Sequence, residues 1–322
     1  CCGTREFLKL HAYNVDPEVH PISLNIDFDT LVIKPFDTLF DVMLYDDPKD
    51  DRYMLARKRL VEEGYVAPTY FHNHREEPEE KVSLLNKTFQ AFYTKDYNMI
   101  RPGWQEKRVG MQGGFLMVKP NKTIFDELVN IVKEGDYLKG RGLDKGWKGS
   151  GYGNHIWGSK TIQGLLGYYF NKNWETSVEL NRCMVNQIGD NPRRSTFGKA
   201  MGQWPRGTPL HPENATWKDT TCRDGREKCD DVQCQNWPIE KTIFVHFTYC
   251  GKPRQCKFQK EEDYLLLHEY ACTDMSREWF RTRRSLEMSR GEKGFVPTEE
   301  NYAYNYSFGY CKEKNLYIPI EP

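Results

Sequence analysis

Two aspartates in the sequence Asp27-Phe28-Asp29 are the residues most able to carry chemistry. They lie within residues 22–33, an apolar segment that predicts a buried strand. Side chains two positions apart on a strand point to the same side, and two like charges buried together are costly unless a cation neutralises them. The pair therefore lies either at the exposed carboxyl edge of a sheet or around a metal, for which carboxylate oxygens favour magnesium, manganese or calcium. Alternatively, the two aspartates have only a structural role, at a strand end that caps a loop.

Strands and helices alternate along the chain and would position this pair. β-Branched and apolar residues predict strands over 22–33, 113–120 and 239–250. Helical spacing predicts helices over 4–13, 123–135 and 261–290, a short helix opened by Asp37, and a helix start within 161–170. This alternation of strands and helices with short connections indicates an α/β fold with a largely parallel central sheet.

Three segments depart from this alternation. Residues 46–80 are charged and poor in aliphatic side chains, which predicts a surface insertion that is partly helical over 52–64. Residues 134–160 are rich in glycine and carry tryptophan, so we expect an ordered active-site loop. Residues 200–240 are rich in loops and contain three cysteines. We expect one main domain over 1–260 and a C-terminal helical extension over 261–322 that packs on it.

Composition excludes several classes of protein. The 322 residues contain 46 Lys+Arg and 46 Asp+Glu, so the formal charge is zero and nothing favours nucleic acid or an anionic membrane surface electrostatically. No uninterrupted apolar run approaches the length of a transmembrane helix. Aromatic residues make up 14% of the chain, which argues against a disordered protein.

Cysteines and glycosylation sequons indicate an oxidising compartment. Most of the ten cysteines lie in the last third of the chain or just ahead of it, and their spacings do not match the close pairs of zinc sites, so disulfides are favoured over zinc. Cys250 pairs either with Cys256 or with the cluster over 222–234. Four Asn-x-Ser/Thr sequons give mild support. The chain begins without a Met or a signal peptide, so we expect a fragment of a secretory protein.

Four blocks carry a resemblance to a known family. Residues 24–40, LNIDFDTLVIKPFDTLF, resemble the D-x-D block of the retaining, glycogenin-like glycosyltransferases of family 8. Residues 112–120 are similar to the family's N-x-G strand, and residues 163–166 are similar to its D-Q-G helix start. His246 with Lys252 and Pro253 is similar to its H-x2-G-x2-K-P element.

The resemblance implies a GT-A nucleotide-diphospho-sugar transferase fold over 1–260 and transfer of a hexosyl unit from a nucleotide-sugar, such as a UDP-sugar, to a hydroxyl of a glycan, protein or small molecule. It implies Mn2+, or Mg2+, bound by Asp27, Asp29 and His246. It implies diphosphate contacts from Gly251 and Lys252 and a donor contact from Lys9. It implies a Golgi or secretory-pathway lumen. The sugar pocket that it implies is lined by Gln112, Gly113, Gly114 and Gln163.

Departures from the family pattern keep other functions open. Ile162 replaces the acid of D-Q-G, Gln112 replaces an Asn and Arg254 replaces a Trp. The family's nucleobase-binding strand would lie upstream of Lys9, so the chain resembles an N-terminally truncated member. The alternatives are a catalytically inactive glycosyltransferase-fold binding protein and a metal-dependent phosphohydrolase, which would need a second metal site or a base near the aspartates. Lesser candidates are the pair His72 and His74, the loop residues His155 and Trp157, and the possible contacts Asn186 and Asp190.

Overall fold

The computed structural model describes residues 3–67, 84, 87–97, 100, 108–140, 144–152, 158–190, 234–248, 250, 252–253 and 271–289. This part of the chain is mixed α/β. Its α-helices are α1 (Asp37–Leu44), α2 (Asp51–Glu62), α3 (Lys122–Glu134), α4 (Ile162–Lys172) and α5 (Ala271–Ser289). Its strands are β1 (Ser23–Ile26), β2 (Thr30–Val32), β3 (Ala91–Lys95), β4 (Met111–Val118), β5 (Tyr137–Leu138), β6 (Gly146–Trp147), β7 (Ser177–Glu179), β8 (Val185–Gln187) and β9 (Phe244–His246). Four 3-10 helices cover Thr4–Tyr13, Trp174–Thr176, Cys234–Asn236 and Ile239–Lys241.

The described strands form two main sheets and a small hairpin. The larger sheet has the order β1-β4-β3-β7, and β4 runs antiparallel to both of its neighbours. The second sheet has the order β2-β9-β8, with β9 antiparallel to β2 and parallel to β8. Parallel pairing is limited to β3 with β7 and β8 with β9 among these strands, so the prediction of a mainly parallel sheet is wrong here. The apolar run of β4 is buried on both faces, and such a run does not by itself reveal strand direction.

Several predicted elements are confirmed and others change. The helix opened by Asp37, the strand over 113–120 and the helix over 123–135 correspond to α1, β4 and α3. Residues 22–33 form two strands instead of one, because Asp27-Phe28-Asp29 separates β1 from β2 and each strand belongs to a different sheet. Residues 239–250 contain a 3-10 turn before the short strand β9. The segment over 4–13 is a 3-10 helix.

Helices cover both faces of the larger sheet. In β4, Phe115 and Met117 pack into a core with α1 and α2, whereas Leu116 and Val118 pack with the 3-10 helix over Thr4–Tyr13 and with α3 and α4. This alternation follows the two-residue period of a strand. The charged insertion predicted over 46–80 is partly a core element, because α2 buries Tyr53, Ala56, Arg57 and Leu60. Residues 68–80 of that segment lie outside the described residues.

Two disulfides are present in the described part of the chain. Cys183 is bonded to Cys234 and Cys250 to Cys272, so both pairings expected for Cys250 are wrong. The start of α5 lies against the end of β9, where Cys272 and Met275 pack with Val245 and Phe247, and this long-range packing selects the partner. The disulfides indicate an oxidising, non-cytosolic environment. None of the described helices is long and apolar enough to cross a membrane.

Candidate metal centre

Asp27 and Asp29 lie in the short link where the chain passes from the larger sheet to the smaller one. The Asp27 N–H donates to the carbonyl of Gly114 on β4 (3.2 Å), and the Asp29 carbonyl accepts from the N–H of Phe247 after β9 (2.8 Å). Thr30 donates its hydroxyl to the Asp27 carbonyl. Phe28, between the two aspartates, is 98% exposed. Backbone bonds to both sheets therefore fix the two carboxylates in place.

The third member of the group, His246, comes from a distant part of the sequence. It ends β9, and the antiparallel register places it opposite Thr30. Its Nε2 lies 3.7 Å from Oδ2 of Asp27 and 3.6 Å from Oδ1 of Asp29. One ligand atom from each residue falls within a mutual distance of 4.8 Å. The structure thus brings together the three residues for which the sequence predicted a metal.

The spacing of these atoms fits a divalent cation. An ion about 2.2 Å from both His246 Nε2 and either carboxylate oxygen would make an angle of roughly 110° at the metal, which an open coordination shell accepts. Two carboxylate oxygens and one imidazole nitrogen suit manganese, magnesium and zinc alike, so the donor set favours a divalent cation without selecting one.

Two lysines neutralise the carboxylates. Lys9 Nζ lies 2.7 Å from Oδ1 of Asp27 and 2.8 Å from Oε2 of Glu6, and it donates to the Gly113 carbonyl at 2.9 Å. Lys252 forms an ion pair with Asp29. Lys9 and Lys252, which were predicted to contact the donor and its diphosphate, thus both lie beside the aspartates.

The ion pairs set the protonation states of the site. Burial alone would raise the pKa of Asp29, but the neighbouring His246 and Lys252 outweigh it and hold that pKa well below its usual range. Burial alone would lower the pKa of Lys9, but bonds to Asp27 and Glu6 outweigh it and raise that pKa. The carboxylate of Asp29 and the ammonium of Lys9 are therefore charged at neutral pH.

Gly113 and Gly114 lie in an irregular part of β4 beside the site. Tyr93 of β3 pairs with Leu116, whereas Lys95 pairs with Met111, so the intervening residues of β4 bulge out of the ladder. A Cβ on Gly114 would lie 2.1 Å from Cε1 of His246, which explains why a glycine is needed there. Gln112 is buried, and its Oε1 accepts from the Gly114 N–H.

Gln163, at the start of α4, lies beside Gly113. Its Cγ would be 3.2 Å from a Cβ on Gly113, and its Nε2 donates to Oδ2 of Asp96 at 2.9 Å. Ile162 is buried, and its Cγ2 would be 3.3 Å from a Cβ on Gly113, so it gives this region an apolar side chain but no polar group. Asp96 is a buried carboxylate that sequence reasoning missed, although it directly follows an apolar strand as Asp27 does.

Asn186 and Asp190, the two lesser candidates within the described residues, have different surroundings. Oδ1 of Asn186 lies 3.2 Å from Nδ1 of His246. Asp190 is fully buried and accepts from Nε of Arg182 at 2.6 Å. The remaining predicted residues lie outside the described part of the chain: Gly251, Arg254, His72, His74, His155 and Trp157.

Comparisons of the chain with protein-family models, with characterised proteins and with solved structures give no match. The interpretation of function therefore depends on the sequence motifs and on the geometry of the site.

Proposed function

We propose that this chain is a retaining glycosyltransferase of the GT-A type that uses a divalent cation, Mn2+ or Mg2+, to move a hexosyl unit from a nucleotide-sugar to a hydroxyl acceptor. The convergence of Asp27, Asp29 and His246 carries the proposal. These residues match the metal-binding positions that the motif resemblance implies, and their ligand atoms lie within 4.8 Å of one another.

The charges around the site support a phosphate ligand. Lys9 and Lys252 face three carboxylates, those of Glu6, Asp27 and Asp29, so a divalent cation added between the two aspartates leaves one positive charge in excess. The diphosphate of a nucleotide-sugar is the anion that would offset this excess. A bound cation would act as a Lewis acid on the leaving diphosphate. Lys9 and Lys252 would donate to oxygens of that diphosphate.

The side of the site beyond Gly113 supports a sugar subsite. Gln163 and Asp96 form a hydrogen-bonded pair of an amide and a carboxylate next to the glycine bulge. Groups of this kind bind sugar hydroxyls through several short hydrogen bonds. A donor whose diphosphate lies between Lys9 and Lys252 would present its sugar to Gln163. The acceptor is a glycan, a protein or a small molecule, and the oxidising environment fits the Golgi or another secretory-pathway lumen.

A catalytically inactive glycosyltransferase-fold binding protein is the second candidate. Each aspartate already has an ammonium partner, so both carboxylates form an ion pair without a metal. Ile162 replaces an acid of the family motif and is buried. Such a protein would bind a nucleotide without turnover.

Calorimetry of the full chain with UDP, with and without Mn2+, tests the proposal. We expect binding that requires Mn2+ and that is lost in Asp29→Asn. Asp126→Asn, which changes an exposed carboxylate on α3, is the matched control and keeps the affinity of the unchanged protein.

A panel of UDP-sugars then separates the candidates. Mn2+-dependent release of UDP with transfer of the sugar supports the transferase. Binding without release supports the inactive protein. Hydrolysis to UMP and sugar 1-phosphate would indicate a phosphohydrolase. UDP binding that does not depend on Mn2+ would contradict the metal site.

A further inference from the structure

Asn186 has an unusual backbone conformation next to the metal centre. It is 1% exposed and has a φ of 71°, in the left-handed region that few non-glycine residues adopt. The parallel ladder pairs Val185 with Phe244 but Gln187 with Val245, so Asn186 is the extra residue of a bulge in β8. Bulges redirect side chains, and here the amide of Asn186 faces His246.

A chain of hydrogen bonds fixes which way this amide points. The backbone N–H of Gly114 can only donate, so the Gln112 atom that contacts it is the acceptor Oε1. The same Oε1 lies 3.2 Å from Asn186, which must therefore present its Nδ2 there. Nδ2 also donates to the Thr94 hydroxyl at 2.8 Å. Both donor hydrogens of the amide are thus used on this side.

The remaining atom of the amide sets the tautomer of the histidine. Oδ1 of Asn186 lies 3.2 Å from Nδ1 of His246, and since Oδ1 can only accept, Nδ1 must carry the hydrogen. In the neutral ring this leaves the lone pair on Nε2, the atom that faces Asp27 and Asp29. The Thr248 hydroxyl lies 2.6 Å from Nε2, where it can donate to that lone pair.

We propose that Asn186 is a positioning residue that holds His246 as the Nδ1–H tautomer, so that Nε2 is ready to bind the divalent cation. The proposal rests on the proposed metal site. The Gly114 N–H, which can only donate, fixes which atom of Gln112 accepts. Gln112 in turn orients the amide of Asn186, and Asn186 determines which nitrogen of the imidazole donates. Gly114 therefore has two functions, because it also leaves room for the ring. Residues outside the coordination shell commonly tune metal ligands in this way.

The left-handed backbone permits a clean test. Asn186→Gly removes the amide while placing the residue best suited to a positive φ at this position, so the bulge is preserved. Lys148→Gly is the matched control, since Lys148 is the other described non-glycine residue with a positive φ, at 49°, and is an exposed residue directly after β6. Gln112→Met is a second variant, which removes the acceptor that orients Asn186 and leaves Asn186 itself in place.

Two readouts are needed. Long-range proton–nitrogen NMR of the metal-free full chain, at a pH where the ring is neutral, reports which nitrogen of His246 carries the hydrogen, and His246→Gln assigns the signal among the eight histidines. Titration with Mn2+ alone reports metal affinity. We expect the Nδ1–H tautomer in the unchanged protein and in Lys148→Gly, and a mixture of tautomers in Asn186→Gly and Gln112→Met. We expect Asn186→Gly to weaken Mn2+ binding by about 10–100-fold.

The outcomes separate this proposal from the proposed function. A hydrogen on Nε2 of His246 in the unchanged protein would overturn the proposal. An Asn186→Gly protein that keeps the Nδ1–H tautomer would also overturn it, even if that protein binds Mn2+ more weakly. If the unchanged protein shows the Nδ1–H tautomer but binds no Mn2+, the proposed function fails while the role of Asn186 in setting the tautomer stands.

Discussion

The substitution Gly114→Ala gives a sharp test of how His246 is held. An added Cβ would lie 2.1 Å from Cε1 and 2.3 Å from Nδ1 of the ring, whereas ordinary contacts begin at 3.4 Å. The ring and the backbone must therefore separate by about 1.3 Å. His246 is only 2% exposed and is bonded to Asn186 on its Nδ1 side, so it has little room to move.

This displacement is large compared with the tolerance of a metal site. Bond lengths to a metal vary by about 0.2 Å, so a ligand moved by more than 1 Å no longer reaches the ion. We expect Gly114→Ala to lose Mn2+ affinity by at least about 10–100-fold and to lower the free energy of unfolding by about 1–3 kcal/mol through overpacking. Titration with Mn2+, followed by electron paramagnetic resonance of the free ion, measures the first effect, and urea unfolding measures the second.

The neighbouring glycine is the matched control. A Cβ on Gly113 would meet Cγ of Gln163 at 3.2 Å and Cγ2 of Ile162 at 3.3 Å, contacts that a shift of a few tenths of an ångström relieves. Gly113→Ala is therefore expected to keep its Mn2+ affinity. If folded Gly114→Ala binds Mn2+ as tightly as the unchanged protein, His246 is not a ligand in the position described.

Three further predictions concern stability. Asp46→Ala removes the carboxylate that pairs with the buried Arg57 at 2.7 Å. It should lower the free energy of unfolding, measured in urea, by about 3 kcal/mol. A loss below about 1 kcal/mol would count against that pairing. Cys272→Ser removes the disulfide to Cys250, 22 residues away. It should lower the free energy of unfolding by about 3 kcal/mol in thermal unfolding under oxidising conditions. An equal difference from the unchanged protein in reductant would contradict this reasoning. Asn121→Ala removes the helix cap that accepts hydrogen bonds from the N–H groups of Thr123 and Ile124, and it should lower the free energy of unfolding by about 1 kcal/mol. Asn121→Asp should keep the cap. Equal losses of stability in the two variants would refute the capping role.

Local signals explain which elements the sequence could predict. α3 has a polar cap at Asn121 before an amphipathic run and ends at Gly135, whose φ of 66° suits glycine. The apolar run of β4 is long enough to identify a strand without tertiary information. The two aspartates were identified because like charges in an apolar segment require an explanation.

Non-local pairing explains what the sequence did not reveal. Strand direction in the sheets and the bond between Cys250 and Cys272 depend on how distant segments pack. Bulges in β4 and β8 give Gly114 and Asn186 their roles, and no periodic pattern signals a bulge of this kind. Asp96 could have been found by applying to β3 the argument used for Asp27, since both carboxylates directly follow an apolar strand.

Anomalous diffraction from crystals grown with Mn2+ is the most direct test of the central claim, that Asp27, Asp29 and His246 bind a divalent cation. We predict a manganese peak about 2.2 Å from Nε2 of His246 and from an oxygen of each aspartate. The ion pair between Lys252 and Asp29 should be loosened in the same crystals, because the cation competes for that carboxylate. A manganese peak elsewhere, with the three side chains and both lysines still paired as described, would contradict the account.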